Sequence, residues 1–378
     1  MGSNRFSRAV YSATVETHVP KGGSATGRAE QKARETGTLN PLVDPSGYGV
    51  IRRSLLRLNQ REDGLWEVTV GTPVPIETRV DTTGSMGNNV DVALRVLPEA
   101  YELCSGVLPG CDVHMATGVF GDVRDRFVLC RPQFEMLAEK IVEQLTLMVP
   151  ERNGGDFPED PHYGLFGAAY LTAFYINRIG LKSYDFTVSD APARDRLDEK
   201  TLRRVFGEEV FKKVAEAGHQ INQSDLPSTK DVVRDLLDRA HAFFLQVGDE
   251  QQTSTFWSHV FGKNRVILLP STELLPQVQA TIIGLTEGTL ALSDVESFLV
   301  KNNVPKGDAK KILRSVANIP LGAQAALPNF DRRPNVGDLF REKMDLWPIN
   351  PSEIDPEDEG STDSKNKKGK KQKGPDWL

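Results

Sequence analysis

The sequence predicts an α/β fold, a doubly wound and mostly parallel sheet flanked by helices, and three observations predict it. From about Ile76 to Thr286, short β-rich runs alternate with helical patterns, as expected for strands joined by crossover helices. The helical stretches each carry one apolar face: Phe134, Leu137, Ile141, Leu145 and Met148 recur every three or four residues. The segment Tyr163 to Ile179 is apolar nearly all round, which places one long helix deepest against the sheet.

Taken in order, residues 1–50 are rich in Gly, Ser, Thr and Arg without a sustained apolar period, and read as an extended arm whose order depends on a partner. Within it, Gly22 to Gly27 has the outline of a phosphate loop. Arg28 and Ala29 stand where that loop needs Lys and Ser or Thr, and no strand precedes it. Residues 51–75 read as a β-hairpin lead-in, two β-rich runs separated by the turn-like Arg61-Glu62-Asp63-Gly64. The main domain, 76–286, has strand candidates at Ile76 to Val80, Val113 to Phe120, Phe127 to Cys130, Tyr184 to Val188, Ala242 to Val247 and Val266 to Leu269.

An insertion at 194–227 interrupts that domain with its own helical period (Leu202, Val205, Phe206, Val210, Phe211, Val214), and a further helix starts near Ser228. The insertion follows the C-terminal end of a strand, where ligand sites of open α/β sheets form, so it is either a lid or partner surface or a packed elaboration. Residues 287–327 form a helical hairpin, opened by what looks like a capping box at Ser293-Asp294-Val295-Glu296 and broken at Asn302 to Gly307. The hairpin is too small to fold unaided and must dock on the main domain or on another protein. Residues 328–378 read as a disordered tail, first acidic (Glu353 to Asp363) and then lysine-rich (Lys365 to Lys373).

Composition narrows the functional classes. With 39% hydrophobic and 26% charged residues the chain resembles ordinary soluble proteins, and it has no apolar run of the roughly 20 residues that a bilayer span needs. No membrane role is expected. A formal net charge of −6 argues against a global nucleic-acid footprint, leaving only weak, salt-sensitive anion or nucleic-acid contact by the lysine-rich tail. The N-terminal MGSNRFSRAV has no apolar signal stretch, so a cytoplasmic location is expected. Three cysteines without a CxxC pair and six scattered histidines give neither a disulfide framework nor a thiolate or imidazole metal centre.

The chemistry concentrates in VDTTGSMG, Val80 to Gly87. An apolar strand ends at Asp81, and Thr83 and Ser85 follow before a helix whose Val90, Ala93, Leu94 and Leu97 face the sheet. A hard divalent cation takes about six oxygens, so one carboxylate and two hydroxyls on a tight loop are half of a coordination shell. Two other loops at the same sheet edge offer oxygens: Asn153-Gly154-Gly155-Asp156-Phe157-Pro158-Glu159-Asp160 and Ser189-Asp190-Ala191-Pro192.

These three loops resemble the von Willebrand factor A family, whose metal-ion-dependent adhesion site combines Asp-x-Ser-x-Ser, a Thr and an Asp. Asp81, Thr83 and Ser85 match the first loop, with Thr for the first Ser, and Asp190 matches the last. Asp156 stands where the family has Thr, in a GGD-x-PED form similar to the domains of some alpha-kinases and bacterial proteins. The resemblance implies Mg²⁺ or Mn²⁺ held by Asp81, Thr83, Ser85, Asp156 and Asp190. It also implies a non-enzymatic module that captures an acidic side chain of a protein partner, and an ATPase is one such partner.

Other readings of the same residues give different expectations. Asp81-Thr82-Thr83-Gly84-Ser85 also resembles the Asp-Lys-Thr-Gly-Thr of haloacid dehalogenase-type phosphotransferases, with Asp81 as nucleophile, although Thr82 and Thr83 replace the usual Lys or second acid. A serine nucleophile elbow at Ser85 needs glycine at 83 and 87, and only Gly87 is present. In a structural subunit of a bacterial or phage assembly, the metal loop would be vestigial and the arm, hairpin and tail would make the contacts.

Overall fold

The computed structural model describes residues 26–47, 50–153 and 157–341. The first element among the described residues is helix α1 (Gly27–Thr36), followed by β1 (Arg52–Ser54), β2 (Leu58–Gln60), β3 (Trp66–Val68) and the long β4 (Thr72–Asp81). Next come α2 (Asn89–Val107), β5 (Cys111–Phe120), β6 (Leu129–Cys130), α3 (Ala138–Thr146), α4 (Pro161–Tyr170), β7 (Thr172–Phe174), α5 (Tyr175–Arg178) and β8 (Ser183–Ser189). The remainder is α6 (Glu199–Phe206), α7 (Val210–Glu216), α8 (Thr229–Arg239), β9 (Ala240–Val247), α9 (Gln251–Val260), β10 (Val266–Leu269), α10 (Leu275–Glu287), α11 (Val295–Lys301), α12 (Lys306–Val316) and β11 (Leu339–Phe340).

The main sheet has six strands in the order β10-β9-β8-β4-β5-β6, and all its pairings are parallel except that of β6 with β5. This is the α/β architecture that the alternating pattern predicts. Helices cover both faces, and β4 shows how its sequence serves two cores. All ten of its residues are buried. Val74, Ile76 and Val80 join one core with residues of α2, α10, α11 and α12, while the intervening Glu77 and Arg79 point to the opposite face by the two-residue period of a strand. There Arg79 binds Asp185 of β8 through two guanidinium nitrogens, one of them at 2.8 Å, and Arg131 binds Glu77 at 2.7 and 2.9 Å. A second core lies above this ionic layer, built from α4 and α6–α9 with Phe166, Phe206, Val233, Phe244 and Trp257. Gly164 lets α4 pass over it: a Cβ at this position would lie 2.5 Å from Arg79 Cδ.

Strand order fixes where a ligand site can form. The chain leaves β4 toward β5 on one side, and later enters β8 on the other side of β4. The carboxyl ends of β4 and β8 therefore flank a crevice at a topological switch point.

Several sequence expectations need correction. The arm predicted over 1–50 is folded where it is described: α1 ends at Gly37, whose φ of 77° suits glycine, and Ala33, Leu39 and Val43 are buried in the main core. Three well-spaced apolar residues suffice once neighbours cover them, although mean composition there is polar. The helix predicted over Tyr163 to Ile179 stops at Tyr170, because Thr172–Phe174 pairs with β1 in parallel. A uniformly apolar run carries no period that separates buried helix from buried strand. For the predicted lead-in hairpin, β2 and β3 pair antiparallel, but β1 joins β7 instead.

Helix α11 starts at Val295 after a 3₁₀ turn and has no side-chain cap. The capping box lies at Ser228 and Asp231 of α8. The strand predicted from Phe127 shortens to Leu129–Cys130. The insertion is packed, with Leu202, Val205, Phe206, Val210 and Val214 buried in the second core. The tail predicted from 328 is folded as far as 341: Arg333 Nη2 donates to Glu287 Oε2 at 2.8 Å, and β11 pairs with β3. Polar composition alone gives no sign that a buried carboxylate awaits that arginine. The acidic and lysine runs lie outside the described residues.

Candidate metal centre

Asp81 ends β4 fully buried, and its carboxylate organises the turn that follows. Oδ1 accepts from the backbone N–H and from the hydroxyl of Thr83, both at 2.8 Å, which folds the chain back over the strand end. A 3₁₀ turn, Gly84–Met86, then carries Ser85 outward before α2 begins. Ser85 Oγ lies 3.3 Å from Thr83 Oγ1 and donates to Asp190 Oδ1 at 2.9 Å. From the other strand, Ser189 Oγ donates to Asp81 Oδ2 at 2.5 Å.

Asp81, Thr83, Ser85 and Asp190 thus form one continuous chain of oxygens across the β4/β8 crevice, buried at Asp81 and Thr83 and exposed at Ser85. Asp156, the fifth predicted residue, lies outside the described residues. Its flanks are well placed: Gly84 N–H donates to Asn153 O at 3.1 Å, and Arg152, at a φ of 56°, donates to Glu30 of α1 at 2.9 Å and to Asp91 of α2 at 2.8 Å. Further along the same loop, Glu159 N–H donates to Pro192 O at 2.9 Å, and Arg194 N–H donates to Glu159 O at 3.0 Å. The second and third loops are therefore stitched together.

Sequence reasoning quoted Glu159 within its loop but gave it no role. It is 4% exposed, and its Oε2 has no hydrogen-bond partner among the described residues. Burial, then the charges of Asp81, Asp122 and Asp160, push its carboxyl up to about 8, opposed by the neighbouring Thr83 hydroxyl. Burial likewise pushes Asp81 up to about 6, against hydrogen bonds from Ser189 and Thr83. Asp190 is raised by burial. Close by, Arg194 pairs with Asp160 and with Asp122, the latter at 3.1 Å, so these two acids have a counter-charge that Glu159 lacks among the described residues. The signal available in the sequence was the acid itself, next to a proline in a loop already singled out. Its burial is visible only in three dimensions.

Among the described residues, no three His, Cys, Asp or Glu side chains converge as a ligand set. The donor set is instead mixed, with carboxylates and neutral hydroxyls, all of them oxygen. It fits a hard cation. Octahedral Mg²⁺ with Mg–O near 2.0–2.1 Å has adjacent oxygens about 2.9 Å apart, and the contacts along the chain are 2.8, 3.3 and 2.9 Å. Consecutive oxygens of the chain are thus spaced as adjacent ligands of such an ion would be, and the buried Glu159 carboxylate beside them, with Oε2 unpartnered among the described residues, favours positive charge.

No family model and no curated protein matches the sequence. Among solved structures, the pilus adhesin SpaC from Lactobacillus rhamnosus GG in its open conformation matches with a TM-score of 0.37 and 13% identity, over 61% of this chain and 33% of that one. A von Willebrand factor type A structure from Catenulispora acidiphila matches with a TM-score of 0.33 and 12% identity, over 58% and 44%. Proximal thread matrix protein 1 from the mussel byssus, with a zinc-occupied MIDAS motif, matches with a TM-score of 0.35 and 11% identity, over 57% and 46%. The chain spans between a third and a half of the length of these structures, and the similarity is distant.

Proposed function

We propose that this chain is a non-enzymatic protein-binding module whose site holds a divalent cation, Mg²⁺ or Mn²⁺, and captures an acidic side chain of a protein partner in the cytoplasm. The observation that carries the proposal is the oxygen chain Asp81-Thr83-Ser85-Asp190 across the crevice, beside the buried carboxylate of Glu159, whose Oε2 has no hydrogen-bond partner among the described residues. Asp81, Thr83, Ser85 and Asp190 would hold the ion, with Glu159 as an adjacent carboxylate and Asp156 as a further one. When bound, the cation supplies an electrophilic position open to a partner carboxylate. Thr83 and Ser85 contribute neutral oxygens, so they leave more of the ion's charge for that partner than carboxylates would. Ser189 and the Thr83 backbone N–H fix the Asp81 carboxylate.

The same geometry weighs against group transfer. Asp81 is fully buried with both oxygens accepting hydrogen bonds, a poor position for a phosphoryl acceptor. Ser85 bonds to Asp190 and Thr83, neither of which is the imidazole base that a serine nucleophile uses. An ATPase offering an exposed Asp or Glu falls within the partner class. Among the described residues, no helix is long and apolar enough to cross a membrane.

The test is affinity capture with the full chain in Mg²⁺, in EDTA, and with Asp190→Ala in Mg²⁺. A partner recovered only by the parent in Mg²⁺ supports the module. Recovery of the same partner under all three conditions assigns binding to other surfaces, as in a structural subunit.

A further inference from the structure

Beside the proposed metal site lies an open groove of about 680 Å³, lined by Phe157 and Pro158 of the second loop, Pro192 and Ala193 of the third, and Phe256 of α9, with Glu250 on its rim. The groove is built on the same frame as the oxygen chain. Thr253 Oγ1 of α9 donates to Asp190 O at 2.9 Å, and the buried Trp257 donates through Nε1 to Ala191 O at 2.9 Å. Phe157 is 51% exposed.

Resting on the function proposed above, we propose that this groove selects the partner: an extended segment whose acidic residue reaches the metal site and whose bulky apolar residue, two positions away, enters the groove. Spacing carries the argument. Pro192 is two residues from Asp190, which limits their Cα separation to about 7 Å. In an extended peptide, side chains two residues apart share a face at about 6.5–7 Å. A single strand-like segment can therefore serve both features at once. Charge fixes the rest of the occupant. Glu250 on the rim disfavours a second acid beside the apolar residue and favours Lys or Arg there. Nearby, the carboxylates of Asp81 and Glu159 leave room for one acid only through a bound cation.

The probe is a set of fluorescein-labelled nonapeptides with the core Asp-Ser-Phe-Lys, each compared with Asp→Asn, Phe→Ala and Lys→Glu versions by anisotropy against the full chain, in Mg²⁺ and in EDTA. Binding of the parent peptide in Mg²⁺ should weaken roughly tenfold or more on Phe→Ala, from the apolar surface that a Phe buries. Phe157→Ala protein should bind the two peptides alike, and Phe157→Leu should restore most of the difference. EDTA-sensitive binding that is indifferent to Phe→Ala and to Phe157→Ala overturns the groove while leaving the metal module intact. Absence of any EDTA-sensitive peptide binding by a chain that takes up Mg²⁺ in a calorimetric titration likewise overturns the groove alone, and failure to take up Mg²⁺ overturns the module on which it rests.

Discussion

Arg152→Ala probes how the second loop is held against the oxygen chain. Arg152 has a left-handed φ of 56°, and its guanidinium bonds to Glu30 Oε1 at 2.9 Å, Asp91 Oδ1 at 2.8 Å and Pro150 O at 3.2 Å. The side chain is 30% exposed, so each ion pair contributes about 0.2–1 kcal/mol, and metal-free stability should fall by only about 1 kcal/mol. The effect on the metal should be larger. Without its two anchors the backbone at Arg152 and Asn153 must be fixed again on ion binding, at about 1–2 kcal/mol per residue. Mg²⁺ affinity should therefore drop roughly tenfold or more. Titration calorimetry with Mg²⁺, alongside urea unfolding in EDTA, separates the two effects. Glu30→Gln should weaken binding in the same direction and by less. If Arg152→Ala binds Mg²⁺ as tightly as the parent while losing that small stability, α1 and α2 do not position the site.

Gly164→Ala should destabilise the chain by about 1–3 kcal/mol in urea, because the new methyl would meet Arg79 Cδ at 2.5 Å and Nε at 3.1 Å above a fully buried ion pair. Unchanged stability would mean that α4 does not rest on Arg79. Burial lowers His241 from its ordinary 6.5 to about 4, so the unfolded chain takes up a proton that the folded one refuses. Its contribution is complete above pH 6.5 and is lost as pH falls toward 4, amounting to about 3 kcal/mol. Urea unfolding across pH 7 to 4.5 should show this decline, and His241→Gln should flatten it. Parallel curves for the two proteins would contradict the assignment.

The sheet was legible because strand and helix periods differ, and because each predicted strand of the main sheet lies on a run of β-branched or aromatic residues. That Asp81, Thr83, Ser85 and Asp190 meet was legible as well, since parallel strands bring the loops after their carboxyl ends to one edge. What the residues could not reveal was pairing across long sequence distances. Thr172–Phe174 became a strand because β1, some 120 residues earlier, lies beside it. Arg333 ordered the presumed tail by reaching Glu287. Glu159 was given no role because an acid in a loop is ordinarily solvated, whereas here Pro192 and Arg194 bond to its backbone and the side chain is buried, with Oε2 unpartnered among the described residues.

Calorimetric titration of the full chain with Mg²⁺, compared with Asp81→Ala and Asp190→Ala, tests the metal centre most directly. The parent should take up one ion per chain and gain thermal stability in millimolar Mg²⁺, since a ligand that binds only the folded state raises stability by mass action. Each variant should lose both responses. Equal Mg²⁺ binding by the parent and both variants, or no binding by the parent at millimolar concentration, would contradict the account.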